Sequence, residues 1–356
     1  MFKKFKIFHN KKILITGHNG FKGSWLTIWL NLLGANVVGV SLKNNDNKNH
    51  FNLVKRNIKV KTYYFDIRNK LKLQKVVLKE QPDFIFHLAA QSLVYKSIQD
   101  PRFNWETNVI GLLNLLESIL KLKKKCYGII VTSDKCYKNL EQKKGYKETD
   151  VLGGIDPYSA SKASAEILFN SFFKTFIDRK KKNIRLCSAR AGNVIGGGDW
   201  SNFRLIPDCM KMWLNNKIPV IRNPNSTRPW QHVLEALSGY LVLAVELSKN
   251  KKLNGNSFNF SSDKIKNITV INFLKKIKIN WPSINWKIHT TNKFYESSLL
   301  QLNNFKAKKM LNWKARLNIL ETIDFVVDWY KEFKINKKNI FNISRIQIIK
   351  FMKKKI

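Results

Sequence analysis

The chain has 356 residues, 44% of them hydrophobic, which is long and apolar enough for a large core in two domains or lobes and excludes a disordered protein. Its 65 Lys+Arg against 24 Asp+Glu give a formal charge of +41. The lysines are spread along the whole length among many Asn and Ile, a compositional bias that argues against a specific nucleic-acid binder, whose charge gathers on one helix or tail. Cys126, Cys136, Cys187 and Cys209 lack C-x-x-C spacing and the six histidines form no cluster, so neither disulfides nor a metal site is expected, and the protein is expected in the cytoplasm.

A basic start, Met1 to Lys12, and an uncharged stretch from Gly23 to Leu42 have the outline of a signal peptide or membrane span. Ser24, Thr27, Asn31 and Asn36 interrupt that stretch, and Gly34 and Gly39 divide it into a helix and a strand, so no membrane insertion is expected. Lys12 to Thr16 reads as a buried strand running into Gly17-His-Asn-Gly20-Phe21-Lys-Gly23. Leu26, Trp29, Leu30 and Leu33 then fall at helical spacing, with Gly34 as the stop. Strand, glycine turn and helix together make an anion site, because glycines admit close backbone approach and the helix start offers free amides to a pyrophosphate. An ordinary glycine turn has the same spelling.

The next strand, Asn36 to Leu42, ends in Ser41 and Lys43 where an NAD-binding chain carries an acid for the ribose, so NADP stays open beside NAD. Lys59 to Phe65 leads to Asp66-Ile67, and Pro82 to Leu88 to Ala89-Ala-Gln91. Helical stretches at Leu71 to Lys79 and Trp105 to Leu120 alternate with these strands, the pattern of a doubly wound α/β domain with a parallel sheet, a Rossmann fold. A fifth strand, Gly128 to Thr132, delivers Ser133-Asp134-Lys135 to the sheet edge, and Asp156-Pro-Tyr158-Ser-Ala-Ser-Lys162 opens a helix. Tyr158 and Lys162, four apart, share a helix face, so the ammonium can favour phenolate. Tyr-x-x-x-Lys is short enough to arise by chance, and Tyr330 with Lys334 repeats it. A sixth strand, Ile184 to Ala189, enters the glycine-rich run Arg190 to Trp200. Arg222 and Arg228-Pro-Trp-Gln-His232 follow, and arginines beside aromatics suit a nucleotide diphosphate or, equally on composition, surface ion pairs.

The expected division is a dinucleotide-binding domain over residues 1–192 and a smaller lobe over 193–335 with some elements returning to the first. Residues 336–356, including Lys353 to Lys355, are expected to form a basic tail, and Met1 to Asn10 a peripheral segment.

Six stretches carry a resemblance across Lys12 to about Tyr330: Thr16 to Trp25, His87 to Gln91, Thr132 to Tyr137, Asp156 to Lys162, Ala189 to Trp200 and Arg228 to Val233. On these the chain resembles the extended short-chain dehydrogenase/reductases and, within them, the CDP-glucose 4,6-dehydratases. The resemblance implies that Gly17, Gly20, Phe21 and Gly23 hold a dinucleotide, with Asp66 and Ile67 at its adenine and Ala89 near the ribose. It implies that Tyr158 takes the proton of the sugar 4-hydroxyl, Lys162 lowers the Tyr158 pKa and holds the nicotinamide ribose, and Ser133 bonds the same hydroxyl. Asp134 would be the acid and Lys135 the base of an elimination across C5 and C6. Gln91, Asn193, Arg222 and Arg228 would bind CDP-glucose, in a homodimer serving deoxysugar and O-antigen polysaccharide supply. A nucleotide-sugar 4-epimerase, a dehydratase for another nucleotide sugar, and a charge-driven binding protein are the alternatives.

Overall fold

The structure is a computed structural model that describes residues 2–142, 144–178, 180–265, 268–289 and 300–354. Seven strands form one sheet: β1 (Lys12–Thr16), β2 (Asn36–Ser41), β3 (Val60–Tyr64), β4 (Phe84–His87), β5 (Cys126–Val131), β6 (Ile184–Ala191) and β7 (Ser257–Phe260). Their order is β7-β6-β5-β4-β1-β2-β3, and every neighbouring pair is parallel. The order reverses between β1 and β4, where Ile13 pairs with Phe84 on one side and Val37 on the other.

Parallel strands need covered faces, and period-two alternation supplies both. On one face Ile13 and Ile15 join Trp25 and Trp29 of α1 (Phe21–Leu32), together with α5 (Val233–Lys249) and α6 (Ile319–Ile335). On the other, Leu14, Ile85 and Ile130 meet α2 (Lys70–Glu80), α3 (Gly111–Leu120) and Phe169 of α4 (Pro157–Phe172). Gly34 ends α1 with a φ of 75°, the left-handed conformation that glycine adopts most easily. Apart from β7, the strands after β6 are two residues long: Val194–Ile195 pairs with Gln231–His232, Val220–Ile221 with Lys287–Ile288, and Thr227–Arg228 with Ile268–Thr269.

Both chain ends differ from expectation. Phe5 and Phe8 are fully buried, and the Phe8 ring meets Phe84 edge-on at 5.0 Å. Instead of a tail, the chain closes with α7 (Ile340–Lys353), which inserts Phe351 against Trp29 at 5.7 Å and receives the Trp29 indole N–H on Met352 Sδ at 3.1 Å. Burying one such aromatic is worth about 1.5–3 kcal/mol, enough to hold a lysine-rich helix down. Lys355 and Ile356 lie outside the described residues. Tyr330, the second tyrosine of a Tyr-x-x-x-Lys pattern, is core, its phenol donating to Asp199 O at 2.7 Å.

At the start of α5, buried Glu235 accepts the Arg316 and Leu317 amides on Oε1 at 2.7 and 2.6 Å, while Oε2 has no partner among the described residues. Burial outweighs those amides and the Arg316 charge and lifts the carboxyl from 4.5 to about 7. A raised folded pKa stabilises fully below pH 4.5, and that contribution is lost as pH rises through 7. Glu235→Gln is therefore expected to raise the melting temperature relative to wild type at pH 8, by a ceiling of about 3 kcal/mol, and to change it little at pH 5; thermal unfolding at both pH values checks it.

Candidate active site

The glycine turn is fixed by what its glycines touch. Gly17 has a φ of 76°, and a Cβ there would lie 2.7 Å from Ala89 N, so the turns after β1 and β4 meet backbone to backbone. A Cβ on Gly23 would lie 2.0 Å from Gly17 O, which no side chain can occupy. Gly20 opens α1 without a side-chain cap, leaving the first helical amides to an incoming ligand, and half-buried Phe21 begins the helix. A dinucleotide diphosphate fits this cradle. His18 is buried edge-on against Phe51 at 4.8 Å, with Nε2 3.2 Å from Thr62 Oγ1. Burial lowers it to about 4, so the ring is neutral, and its Nδ1 has no partner among the described residues. At the end of β2, Ser41 is buried with an unpartnered hydroxyl and Lys43 is exposed. Asp66 is held by Arg68 Nε at 2.9 Å, and Ile67 is buried beneath Gly111.

Tyr158 and Lys162 stand on one face of α4, whose start is set by Pro157 and by Asp156, which caps the Ser159 amide at 3.0 Å. They are 8% and 5% exposed, and the Lys162 ammonium is 5.9 Å from the Tyr158 ring centre. Burial pushes Tyr158 up, and the groups opposing it are the Ser133 hydroxyl, its hydrogen-bond partner, and Arg204. Burial lowers Lys162 itself to about 8, which leaves it charged at neutral pH but weakly so.

Ser133, Asp134 and Lys135 leave the end of β5 in a single tight turn. Asp134 is 4% exposed and accepts from Ser133 Oγ at 2.8 Å, and a Cβ on Gly192 would come within 3.2 Å of its Oδ2. Burial raises the Asp134 pKa against the opposing pull of Lys135, Ser133 and Lys22. Lys135 is half-buried beside it. Two cations that sequence reasoning passed over face the same crevice. Burial and the charges of Arg204 and Lys162 lower Lys22 of the glycine turn to about 8, against the attraction of Asp134 and Asp199. Arg204 bridges Asp199 Oδ2 at 3.3 Å and Ser92 O at 3.1 Å, across the crevice mouth. A lysine inside an otherwise uncharged turn and helix was the signal for the first; the second had none.

The expected substrate residues are less gathered. Asn193 is half-buried just past β6, with its carbonyl accepting the Gln231 amide at 3.0 Å. Arg222 is exposed on the small lobe, and Arg228 donates to Thr227 O at 2.9 Å. The aromatics beside Arg228 are not free to stack on a base: Trp230 packs on Phe273 at 4.2 Å, and His232, which burial lowers to about 3, sits neutral in the core. Gln91 is buried and turned to its own loop, bonding Leu93 N and O at 2.5 and 2.9 Å.

An uncapped glycine cradle at the switch point of a parallel sheet, with a buried Tyr158–Lys162 helix beside it, defines an extended short-chain dehydrogenase/reductase site. Residues 14–325 match the family model described as GDP-mannose 4,6 dehydratase, and the chain belongs to that family. It is 38% identical over 346 residues to CDP-glucose 4,6-dehydratase of Salmonella typhimurium, covering 96% of each chain. Two solved structures share the fold. An epimerase from Methanothermobacter thermautotrophicus has a TM-score of 0.81 at 22% identity, over 95% of this chain and 97% of that one. dTDP-glucose 4,6-dehydratase of Bacillus anthracis, in complex with NAD, has a TM-score of 0.74 at 21% identity, over 90% and 97%. Replacement of Gly23 by Ala is expected to abolish dinucleotide binding, read by titration calorimetry, and to lower the melting temperature, because the new methyl must displace the Gly17 carbonyl.

Proposed function

We propose that the protein is a CDP-glucose 4,6-dehydratase that converts CDP-glucose to CDP-4-keto-6-deoxyglucose and water with NAD as a recycled cofactor. The observation that carries this reading is the buried Asp134 carboxyl, with its raised proton affinity, beside Lys135 and next to Tyr158. An acid and a base at that point serve an elimination, which epimerisation at C4 does not need. The 38% identity to a CDP-glucose 4,6-dehydratase across nearly the whole chain supports the same substrate.

Gly17, Gly20, Phe21 and Gly23 hold the dinucleotide, with Asp66, Ile67 and Ala89 along its adenosine half and Lys162 at the nicotinamide ribose. When bound, NAD supplies a reversible hydride acceptor, taking hydride from C4 and giving it back at C6. Tyr158 receives the proton of the 4-hydroxyl while Ser133 hydrogen-bonds that oxygen. The resulting ketone acidifies C5, where Lys135 removes a proton, and Asp134 gives its proton to the C6 hydroxyl, which leaves as water; Lys135 then returns its proton to C5 as C6 is reduced. A carboxyl whose proton affinity is raised by burial suits the donation from Asp134. Asn193, Arg222 and Arg228 bind the nucleotide diphosphate; Gln91 acts by holding the loop after β4. The small lobe over 193–335 is the nucleotide-sugar lobe.

The helices beside the catalytic tyrosine carry exposed Ile98, Trp105, Ile110 and Ile167, an apolar face suited to a homodimer. All four cysteines are buried and unpaired, which fits the cytoplasm. Among the described residues no helix is long and apolar enough to cross a membrane. The product would enter deoxysugar supply for O-antigen polysaccharide.

Incubation with CDP-glucose and NAD, with UDP- and dTDP-glucose in parallel, is expected to give a 4-keto-6-deoxy product from the CDP sugar alone, read by alkali-induced absorbance and the mass loss of one water. Asp134→Asn is expected to lower turnover by about 10²–10⁴-fold. A mass-neutral change at C4 would identify an epimerase, and turnover of another nucleotide sugar would correct the substrate.

A further inference from the structure

Behind the crevice, fully buried, lies an ion pair that the reaction scheme above does not use. Glu166 Oε2 and Arg190 Nη2 are 2.7 Å apart, with side chains 1% and 4% exposed. Glu166 extends the spacing of the catalytic face of α4 by one more step, from Tyr158 to Lys162 to Glu166. Its carboxylate also accepts the hydroxyls of Thr132 at 2.5 Å, Ser188 at 2.8 Å and Ser257 at 3.1 Å, so α4 is tied to β5, β6 and β7 at one point. Burial works against its charge, but Arg190 and these donors outweigh it and hold its pKa below the usual value. Arg190 in turn donates from Nη1 to the Tyr137 phenol oxygen at 2.6 Å, and that phenol donates to Asn259 Oδ1 at 2.9 Å. Arg190 Nε has no partner among the described residues, and its orientation is set by Glu166 and Tyr137 with a longer bond from Nη1 to Glu148 O at 3.4 Å.

Thr132 and Tyr137 bracket the turn that carries Ser133, Asp134 and Lys135. We propose that Glu166 and Arg190 are positioning residues for the elimination step: by gripping Thr132 and Tyr137 they fix the Asp134–Lys135 turn in register with Tyr158 and Lys162 on the same helix. Acid and base then meet C6 and C5 of the sugar whose C4 faces Tyr158. The proposal rests on the roles given above to Asp134 and Lys135. An ion pair serving the fold alone has no need of both ends of this turn. Misplacing reacting groups by about 1 Å costs about 10²-fold in rate, so a loosened turn weakens the elimination, whose acid and base both stand on it, more than the oxidation at C4, which keeps Tyr158 and Lys162 on α4 and draws only the Ser133 hydrogen bond from the turn.

Glu166→Gln would strand Arg190 as a buried uncompensated charge and unfold the chain for reasons unrelated to catalysis. The test therefore removes the two gripped hydroxyls, in Thr132→Val with Tyr137→Phe, and leaves the ion pair. Single-turnover reaction with CDP-glucose and NAD is followed by reduced-nicotinamide absorbance for oxidation at C4, and by solvent-deuterium exchange at C5 with product formation for the elimination. Oxidation is expected within about threefold of wild type, while C5 exchange and product fall by about 10-fold or more and reduced nicotinamide accumulates. If the double variant melts below the assay temperature, Tyr137→Phe alone is expected to show the same split at smaller size. Equal loss in both steps, or no loss in either, overturns the proposal. A wild type that leaves CDP-glucose unchanged retires the assigned function and the grip together. A wild type that dehydrates it, with Asp134→Asn stalled after oxidation but Thr132→Val/Tyr137→Phe unaffected, retires the grip alone.

Discussion

Parallel strands cannot be joined by hairpins, so each must be left at its carboxyl end by a crossover, and where the strand order reverses the crossovers part and leave a crevice. In this protein the reversal falls between β1 and β4. Gly17 leaves β1, Ala89 follows β4, Ser133 follows β5 and Asn193 follows β6, so residues more than 170 positions apart in the chain reach one edge. Across the reversal Thr16 Oγ1 bonds His87 Nδ1 at 2.7 Å and accepts the Ala89 amide at 3.3 Å, and the backbones meet at Gly17 against Ala89. A side chain there would push the two turns apart and with them the floor on which the cofactor and sugar must meet.

The titratable groups of the crevice are buried, and that one physical cause moves them in opposite senses. Burial favours the neutral form of each: Asp134 and Tyr158 are raised, Lys162 and Lys22 lowered. For a carboxyl proposed to give up a proton this is useful, since it raises the proton affinity. For Tyr158 it is an obstacle, because a base must be able to become a phenolate. The hydrogen bond with Ser133 and the charge of Arg204 oppose burial at Tyr158.

Much of the fold was legible because buried parallel strands are short apolar runs bounded by turn signals: β1 to β6 and the helices at Leu71 and Trp105 lie within a few residues of where hydrophobic spacing puts them. β7 was not legible. Four residues, Ser-Phe-Asn-Phe, carry too little pattern, and only pairing of Phe258 with Ala189 makes them a strand. The terminal helix was masked by its lysines, although Phe351 and Met352 stand among them. At the site, the glycine turn, the Ser133 to Lys135 turn and the Tyr158 helix were legible from motif and spacing. The buried pair was not sought, yet it left a trace: Glu166, one helical step beyond Lys162, and Arg190 at the end of a buried strand are charges that must find a partner once the chain folds.

The surplus of positive charge has a local consequence that composition alone hides. Buried Glu80 draws in both Lys12 and Lys61, at 3.1 and 2.6 Å, and Asp66 and Glu106 share Arg68, so acids that are scarce in this chain are already committed to surface and edge cations. In the crevice the balance runs the other way. Lys22 feels Lys162 and Arg204 as like charges, and only Asp134 and Asp199 offset them. Asp199 is already bonded to Arg204, and Asp134 is biased by burial toward its uncharged form. The crevice therefore holds a repulsion between cations that Asp134 and Asp199 offset only in part, and an anionic phosphate chain placed among them relieves it. The global field of a +41 chain attracts any anion and weakens with salt, whereas this unbalanced cluster, half-enclosed and at low dielectric, favours an anion whose charge lies between the glycine turn and α4.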